Sequence, residues 1–353
     1  MARTAPEAIP AIGAARLDRR LRGWRGALVC GAIIFVGFNL RSVILAVPPI
    51  LPLIQHDLGL SYTEAGLLTS LPVLLMGGAA WAAGWLIGRL GGRSVVALGL
   101  ALLASGGLLR AAVPQLVPLY LFTIVLSLGI ALAQTSVPVL ARQWFPRQIG
   151  LVSALFTDGL IIGESVGASA TVPLVLGALG PDAWAGSFIF WSLPVVVGLL
   201  CWLVLTPRAQ PRRVPAPTSR QAASPAKSPA TGAAPVRGRV SAWHLGLLLG
   251  AGSLVYFGMN AWIPDYNLAL GEASATPLAL GVLNAAQLPI SLAMTFVAQR
   301  LAGRRWPFIT AGVLALAGVL GWVIGPVALQ PLWAIFFGGS AAAVFVLGFA
   351  LPA

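Results

Sequence analysis

The chain has 353 residues, of which 58% are hydrophobic and only 9% are charged, and its mean hydropathy is +0.90. A water-soluble protein of this length could not hide so much apolar surface, so the composition excludes a soluble globular protein and predicts an all-α polytopic protein of the plasma (inner) membrane. The net charge of +13 would suit nucleic acid, but the basic residues are spread between apolar segments, so we expect no nucleic-acid partner.

Residues 1–25 contain Arg, Pro and Ala but no short apolar core followed by a small-residue cleavage site. This pattern predicts a retained cytoplasmic tail rather than a signal peptide. Residues 26–206 then predict an N-terminal bundle of six helices, and residues 242–353 predict a partial C-terminal bundle of four. The expected spans are 27–53, 63–86, 94–112, 117–140, 148–176, 184–205, 243–264, 277–297, 307–324 and 329–351.

The basic residues predict how these spans are oriented. All but two of the 22 Lys and Arg residues lie in the tail or in the loops after the second, fourth, sixth and eighth spans. The exceptions are Arg110, which we assign to the opposite face, and Arg41, which lies within a span. Because cytoplasmic loops are enriched in Lys and Arg, the amino terminus is expected in the cytoplasm. Residues 207–241, rich in Pro, Ala, Ser and basic residues, predict a disordered cytoplasmic linker.

Arg41 is the first candidate functional residue. It would lie roughly 21 Å along a helix that begins near Ala27, inside the bilayer. Charged residues within spans are rare and usually serve a transport pathway, and a guanidinium can bind a small anion through paired donors. The alternative is a structural salt bridge within the first bundle.

Two acidic residues of the fifth span, Asp158 and Glu164, are the candidate counter-charges. They would lie roughly 15 and 24 Å along their helix, at depths that bracket Arg41. Six residues separate them, which places them about 120° apart, so one can pair with Arg41 while the other faces elsewhere. Either is a candidate proton carrier coupled to substrate movement, and the alternative is a static ion pair plus one hydrogen-bonded acid.

Neutral polar side chains in the spans are candidate substrate contacts, although amide groups also join helices without touching a ligand. The set comprises Asn39, Gln134, Tyr256, Asn260, Asn284 and Gln287. Trp262 is a further candidate, with an interfacial anchor as its alternative. Gly159, Gly163 and Gly167 recur every four residues on the fifth span, a spacing that predicts close packing against another helix. No residue pattern predicts a metal site, a cofactor site or an enzyme nucleophile with its base.

Several motifs together resemble the major facilitator superfamily, and within it the cyanate and 2-nitroimidazole permease branch. GWLIGRLGGR at 84–93 is similar to the superfamily loop signature, with Gly88 where the family has aspartate, and RLAGR at 300–304 echoes its end. Branch matches are Asn39-Leu40-Arg41 followed by the proline-rich 46–52, WFPR at 144–147 and YFGMNAWIP at 256–264. The resemblance implies that Gly84, Arg89, Gly92 and Arg93 form a conformational loop motif.

The resemblance also implies a two-bundle fold with alternating access, and twelve helices, of which the last two are absent here. We therefore expect a monomeric secondary transporter in the lipid bilayer, without cofactor, for a small anionic or polar solute such as cyanate or a small organic compound. Protons are the candidate coupling ion. The alternative is a truncated membrane module, or a fragment of a transporter, that does not transport.

Overall fold

The computed structural model describes residues 23–146, 148–208, 242–301 and 304–350. Most of the predicted tail (1–25) and linker (207–241) lies outside these residues. All regular structure within them is helical, and the α-helices of eight residues or more are α1 (Trp24–Leu45), α2 (Leu51–Leu58), α3 (Tyr62–Gly78), α4 (Ala80–Leu90), α5 (Gly92–Ala112), α6 (Leu116–Trp144), α7 (Ile149–Ala170), α8 (Trp184–Leu205), α9 (Ala242–Ala269), α10 (Thr276–Ala285), α11 (Gln287–Leu301), α12 (Trp306–Ile324) and α13 (Gln330–Ala350).

Three predicted spans are broken rather than continuous helices. The first, expected over 27–53, ends as α1 at Leu45, and a 3-10 turn at Pro48–Ile50 connects it to α2. Two consecutive prolines lack the backbone donors that an α-helix needs, which explains the break. The second span bends by 51° between α3 and α4, and the eighth is divided into α10 and α11 at Ala286.

Eight helical segments of the described residues are long and apolar enough to cross a membrane, or nine if the bent α3–α4 pair is one span. Helix α9 has 28 residues but is not among them. The all-helical membrane architecture is therefore confirmed, whereas its division into six and four spans stays a prediction.

Helix α3 begins with the capping box that the sequence predicts. The Ser61 hydroxyl accepts a hydrogen bond from the Glu64 backbone N–H at 3.3 Å, and the Glu64 carboxylate accepts one from the Ser61 N–H at 2.8 Å. These two bonds satisfy donors that would otherwise be unpaired at the helix start. Pro277 likewise occupies the first turn of α10, where its missing donor costs nothing.

The close packing predicted from the glycines of the fifth span is confirmed, and the partner is α1. A Cβ atom on Gly159, Gly163 or Gly167 would lie 2.3, 2.2 or 2.6 Å from the carbonyl oxygens of Ile34, Phe38 and Ser42 respectively. At such distances a side chain cannot fit without moving the backbone of α1. The two helices therefore touch backbone to backbone.

The predicted loop motif lies where α4 meets α5. Arg89 stacks over the ring of Trp85, with 4.0 Å from its Cζ to the ring centroid. Arg93 donates to the Leu203 carbonyl at 2.6 Å and to the Thr206 hydroxyl at 3.0 Å, and its own carbonyl accepts from Trp202 at 3.0 Å. Arg93 thus fastens the start of α5 to the end of α8.

The other two residues of the motif are small. Gly84 has open space around it, whereas a Cβ atom on Gly92 would lie 3.0 Å from the side chain of Leu140. The motif joins helices at one end of the molecule. At this same end, α8 ends and α9 begins. We call this end the linker side and the opposite end the far side.

We refer to residues 23–208 as the first half and to residues 242–350 as the second half, and helices of the two contact each other on the far side. The ring of Trp262 in α9 lies 6.2 Å from the ring of Tyr62, between centroids, and covers Gly66 of α3. A second contact joins α7 to α10, where the Ser165 hydroxyl donates to the Gly281 carbonyl at 3.2 Å. These contacts leave a space between the halves on the linker side.

Candidate functional site

A cavity of about 360 Å³ lies between the two halves. Helix α7 lines it with Thr157, Leu160, Ile161 and Glu164, which share one face because their spacing follows the helical period. Helix α1 contributes Arg41, and the remaining lining comes from α9, α11, α12 and α13 of the second half. Most of these side chains are apolar, so the few polar groups in the wall determine what can bind.

The cavity lies toward the linker side. Thr157 is roughly 12 Å from the start of α7, and Leu249 in the wall is roughly 10 Å from the start of α9, by the rise of an α-helix. Both helices begin on the linker side. On the far side, Trp262 against Tyr62 and Gly66 closes the space between the halves.

An ion pair forms the charged part of this cavity. The Arg41 guanidinium lies 3.3 Å from a Glu164 carboxylate oxygen, and the two residues are 8% and 5% exposed. The Arg41 Cζ is also 5.2 Å from the ring centroid of Phe257. The Nε of Arg41 is buried without a hydrogen-bond partner among the described residues, so the guanidinium retains donor capacity beyond the ion pair.

The other oxygen of Glu164 belongs to a hydrogen-bond network with the second half. It accepts from the Tyr256 hydroxyl at 2.8 Å and from the Gln287 amide at 3.3 Å, and that amide also donates to the Tyr256 oxygen at 3.0 Å. The Tyr256 hydroxyl bonds in addition to the Asn284 carbonyl oxygen. The Asn284 amide nitrogen donates to the Asn260 side-chain oxygen at 2.9 Å, so the network continues to α9.

Counting protons shows that the network holds one fewer than its contacts require. The Asn284 amide nitrogen is engaged by Asn260 and by the Leu280 carbonyl, so its oxygen is the atom that faces Tyr256. The Tyr256 hydroxyl has one proton but two acceptors, Glu164 and Asn284. One of these two oxygen–oxygen contacts therefore lacks a hydrogen.

The structure separates the sequence-predicted residues into two groups. Arg41, Glu164, Tyr256 and Gln287 meet in the cavity, and Asn260 reaches them through Asn284. The remaining candidates, Asn39, Gln134 and Asp158, are not among the described residues that line it.

Each of these three side chains has another environment. Asn39 is fully buried, donates to the Phe35 carbonyl at 2.7 Å and lies beside Gly198 of α8. Gln134 and Asp158 are half-buried, and each has one oxygen without a partner among the described residues. Of the two candidate counter-charges, Glu164 is the one that pairs with Arg41.

The charge pattern made no prediction about the burial of Arg110, because it concerned only the face of the membrane at which the residue lies. The pattern assigns Arg110 to the opposite face of the membrane, but its side chain is only 2% exposed and points into the first half. Its Cζ lies 3.8 Å from the ring centroid of Phe188, and its Nη2 donates to the Val43 carbonyl at 3.4 Å. The sequence contained one sign of this burial, namely that Arg110 lies within the predicted span 94–112. A side chain near the end of a span can point into the helix bundle as easily as out of it.

Known proteins resemble this chain along most of its length. The sequence profile described as Major Facilitator Superfamily matches residues 27–353. The cyanate transport protein CynX of Escherichia coli K12 is 31% identical over 318 residues, which cover 89% of this chain and 78% of that protein. The 2-nitroimidazole transporter of the same organism is 25% identical over 329 residues, which cover 93% of this chain and 80% of that protein.

Solved structures agree with the architecture. The crystal structure of a D-xylose-proton symporter superposes with a TM-score of 0.66 at 15% identity, covering 92% of this chain and 85% of the symporter. A bacterial homologue of the lysosomal transporter Spinster, inward-facing and unoccupied, gives a TM-score of 0.65 at 12% identity, covering 93% of this chain and 75% of that protein. Similarity at this level of identity concerns the fold.

Proposed function

The chain belongs to the Major Facilitator Superfamily, a family of membrane transporters rather than enzymes, and from this premise we propose that it is a secondary transporter that moves a small anion together with a proton. The observation that carries the proposal is the buried ion pair of Arg41 and Glu164 at 3.3 Å in the wall of the cavity between the halves. The ion pair contains both a site for an anion and a site for a proton.

Arg41 can pair with either of two negative groups, the Glu164 carboxylate or a bound anion. When Glu164 takes up a proton, the ion pair is lost, and the guanidinium donors become available to the solute. The same proton completes the hydrogen bonds of Tyr256 to Glu164 and to Asn284. Binding of a proton and binding of an anion therefore favour each other.

Charge balance explains why the two would move together. With neither bound, the pair of Arg41 and Glu164 is neutral; with both bound, protonated Glu164 and the anion on Arg41 are again neutral. Binding only one of them leaves a net charge in a medium of low dielectric constant, at a cost on the order of several kcal/mol. Only the two neutral forms would change conformation readily, which couples the fluxes.

The solute class follows from the wall and from the relatives. Arg41 offers paired donors to a small anion, while Tyr256 and Gln287 add neutral polar contacts. Phe257 and the aliphatic wall suit a flat or rod-like molecule. Cyanate, named for one relative, and a small polar aromatic such as the 2-nitroimidazole named for another, have this chemistry.

Orientation is part of the proposal. The excess of Lys and Arg in the tail and alternate loops supports a cytoplasmic location for the linker side. The cavity at Arg41 then faces the cytoplasm in this structure, with the closed far side toward the periplasm or the outside. Residues 207–241 would join the halves as a cytoplasmic linker, and the chain would act as a monomer.

Uptake of labelled cyanate into proteoliposomes tests the proposal, with a pH gradient, acidic outside, imposed across the membrane. We expect accumulation that depends on the gradient. The Arg41→Gln variant should lose uptake by at least about tenfold, because a charge-assisted hydrogen bond to the anion is removed. The Glu164→Gln variant should lose gradient-driven accumulation but retain exchange of internal for external cyanate, because its loaded form is still neutral.

The matched control is Asp158→Asn, which neutralises the other carboxylate of α7 outside the cavity. Both accumulation and exchange should persist in this variant. Accumulation by Glu164→Gln at the native level would contradict the role of Glu164. Absence of cyanate, nitrate and 2-nitroimidazole uptake by a well-inserted native chain would favour the alternative, a membrane module that does not transport.

A further inference from the structure

We propose that Arg110 forms a second anion site. Phe257 separates this site from Arg41, and the transported anion occupies it at the other end of its path. The inference extends the proposed function, because it assumes that an anion passes between the halves. Its test below includes a measurement that does not require transport.

The first observation is that the charge of Arg110 has no counter-charge among the described residues. Its side chain is 2% exposed, and among the described residues no carboxylate lies within salt-bridge distance of it. Within the described part of the chain, the Nε atom is buried without a hydrogen-bond partner, and the Nη2 atom donates a long bond, 3.4 Å, to the Val43 carbonyl. Arg41, by contrast, has Glu164 at 3.3 Å.

The second observation is that Arg110 is held in one position. Its guanidinium lies against the ring of Phe188 at 3.8 Å, and Phe188 is itself buried. The aromatic face offsets only part of the cost of desolvating a cation. Burying an unpaired guanidinium is therefore unfavourable unless a negatively charged group binds to it, and a bound anion would be such a group.

The third observation is a small cavity beside Arg110. It has a volume of about 20 Å³, which holds a single water-sized group. Pro48, Thr69 and Thr123 of the first half line it together with Phe257 and Asn260 of the second half. Because its walls come from both halves, movement of the halves apart on the far side would enlarge it.

The two cavities share one wall residue. Phe257 lines both the cavity at Arg41 and the cavity at Arg110. Asn260 lines the smaller cavity and is connected through Asn284 to Tyr256 in the larger one. The anion would bind to Arg110 when the far side is open and pass Phe257 to reach Arg41. The ligand class is a small monovalent anion, since Arg110 is the one charged residue among the described residues that line the smaller cavity.

Bromide is the probe for binding, because it is a small monovalent anion and an anomalous scatterer. We expect the thermal unfolding temperature of the purified native chain to rise with bromide at constant ionic strength, with gluconate as the balancing anion. Part of this rise should be lost in Arg110→Gln and another part in Arg41→Gln. A bromide response that is the same in the native chain and in Arg110→Gln overturns the proposal.

Labelled cyanate tests the role of the site in transport. Arg110→Gln should raise KM by about tenfold or more for entry from the far side, whereas Arg110→Lys, which keeps the charge, should recover part of the loss. A purely structural arginine predicts changed stability with an unchanged KM. If the native chain does not take up cyanate, the proposed function fails, and the bromide titration still decides whether Arg110 binds an anion.

Diffraction gives a decision that needs no variant. In crystals of the native chain grown with bromide, an anomalous difference peak within hydrogen-bond distance of the Arg110 Nε atom supports the site. If the peak appears at high bromide concentration but is lost at millimolar bromide, the result indicates binding at crystal concentration only and counts against the proposal. An absence of any peak there, in crystals in which the far side is open, would refute the proposal, and this test holds even if Arg110→Gln fails to insert.

Discussion

Helix α7 contacts two neighbours through small residues, and the two contacts differ in kind. Toward α1, Gly159, Gly163 and Gly167 leave no side chain at all, so that backbone meets backbone. On the opposite face, about 200° around the helix, Ser165 and Ser169 contact Gly281 of α10 in the other half. The first contact joins helices of one half, and the second joins the two halves.

The difference separates what is fixed from what can move. A backbone contact has no rotamer to change, so α1 and α7 have one relative position, and the ion pair of Arg41 with Glu164 lies within that fixed unit. The serine contact consists of side chains and one hydrogen bond, which can separate and find other partners. The hydrogen bonds that Glu164 accepts from the uncharged side chains of Tyr256 and Gln287 also cross between the halves. Movement would therefore break hydrogen bonds to uncharged donors and preserve the ion pair.

The largest effect is expected where the fixed contact is altered. Gly163→Ala would place a Cβ atom 2.2 Å from the Phe38 carbonyl oxygen, and the helices must separate to accept it. We expect the free energy of unfolding to fall by about 1–3 kcal/mol or more, which thermal unfolding in detergent would measure. Gly177→Ala is the matched control, because no atom lies within 4 Å of its Cβ position. Equal stability of the two variants would remove the distinction between the faces.

A smaller effect on stability, but a larger one on conformation, is expected at the contact between the halves. Gly281→Ala would place a Cβ atom 2.9 Å from the Ser169 Cβ, which disfavours the arrangement seen here. The free-energy difference between the two conformations should change by roughly 1 kcal/mol, so that the population ratio shifts about fivefold away from the state that is open on the linker side. The unfolding temperature should change little.

Labelling of the cavity wall measures this shift. A Thr157→Cys variant, with Cys30 and Cys201 replaced by alanine, places one thiol in the cavity at Arg41. A maleimide should react more slowly when Gly281→Ala is added. The rate should be unchanged with the control Gly250→Ala, whose Cβ position is open and which lies outside the residues that line that cavity. Unchanged labelling with a lowered unfolding temperature would show that this contact is as permanent as that with α1.

The smallest effect is expected from Ser165→Ala. This change removes the 3.2 Å hydrogen bond to the Gly281 carbonyl and introduces no clash. Hydrogen bonds between membrane helices average about 0.6 kcal/mol, so the labelling rate of the Thr157→Cys thiol should fall by less than about threefold. A change as large as that of Gly281→Ala would indicate that hydrogen bonding, rather than fit, holds the halves together here.

The sequence predicted these features unequally. The four-residue spacing of Gly159, Gly163 and Gly167 predicted close packing, but it contained no information about which helix is the partner. The depth of Arg41 and of the two acids also followed from counting residues. The choice of Glu164 over Asp158 did not, because it depends on the rotation of α7 about its axis, and the contact with α1 determines that rotation.

Two other polar residues show the same limit. Asn39 lies only two residues before Arg41 but turns toward Gly198 of α8, since residues two apart in a helix point about 200° apart. Arg110 counted as a charge outside the membrane because it lies near the end of a span, although its side chain turns into the first half. Depth is readable from spacing, whereas direction requires the neighbouring helices.

The bonds of Arg93 have a consequence for the order in which the protein assembles. Arg93 binds the Leu203 carbonyl and the Thr206 hydroxyl, groups at the end of α8, where carbonyls would otherwise lack an intrahelical partner. No described residue after Thr206 takes part in these hydrogen bonds. During synthesis, the contact between α5 and the end of α8 can thus form while the linker is still leaving the ribosome. The second half would then insert beside a first half whose six predicted spans are already packed.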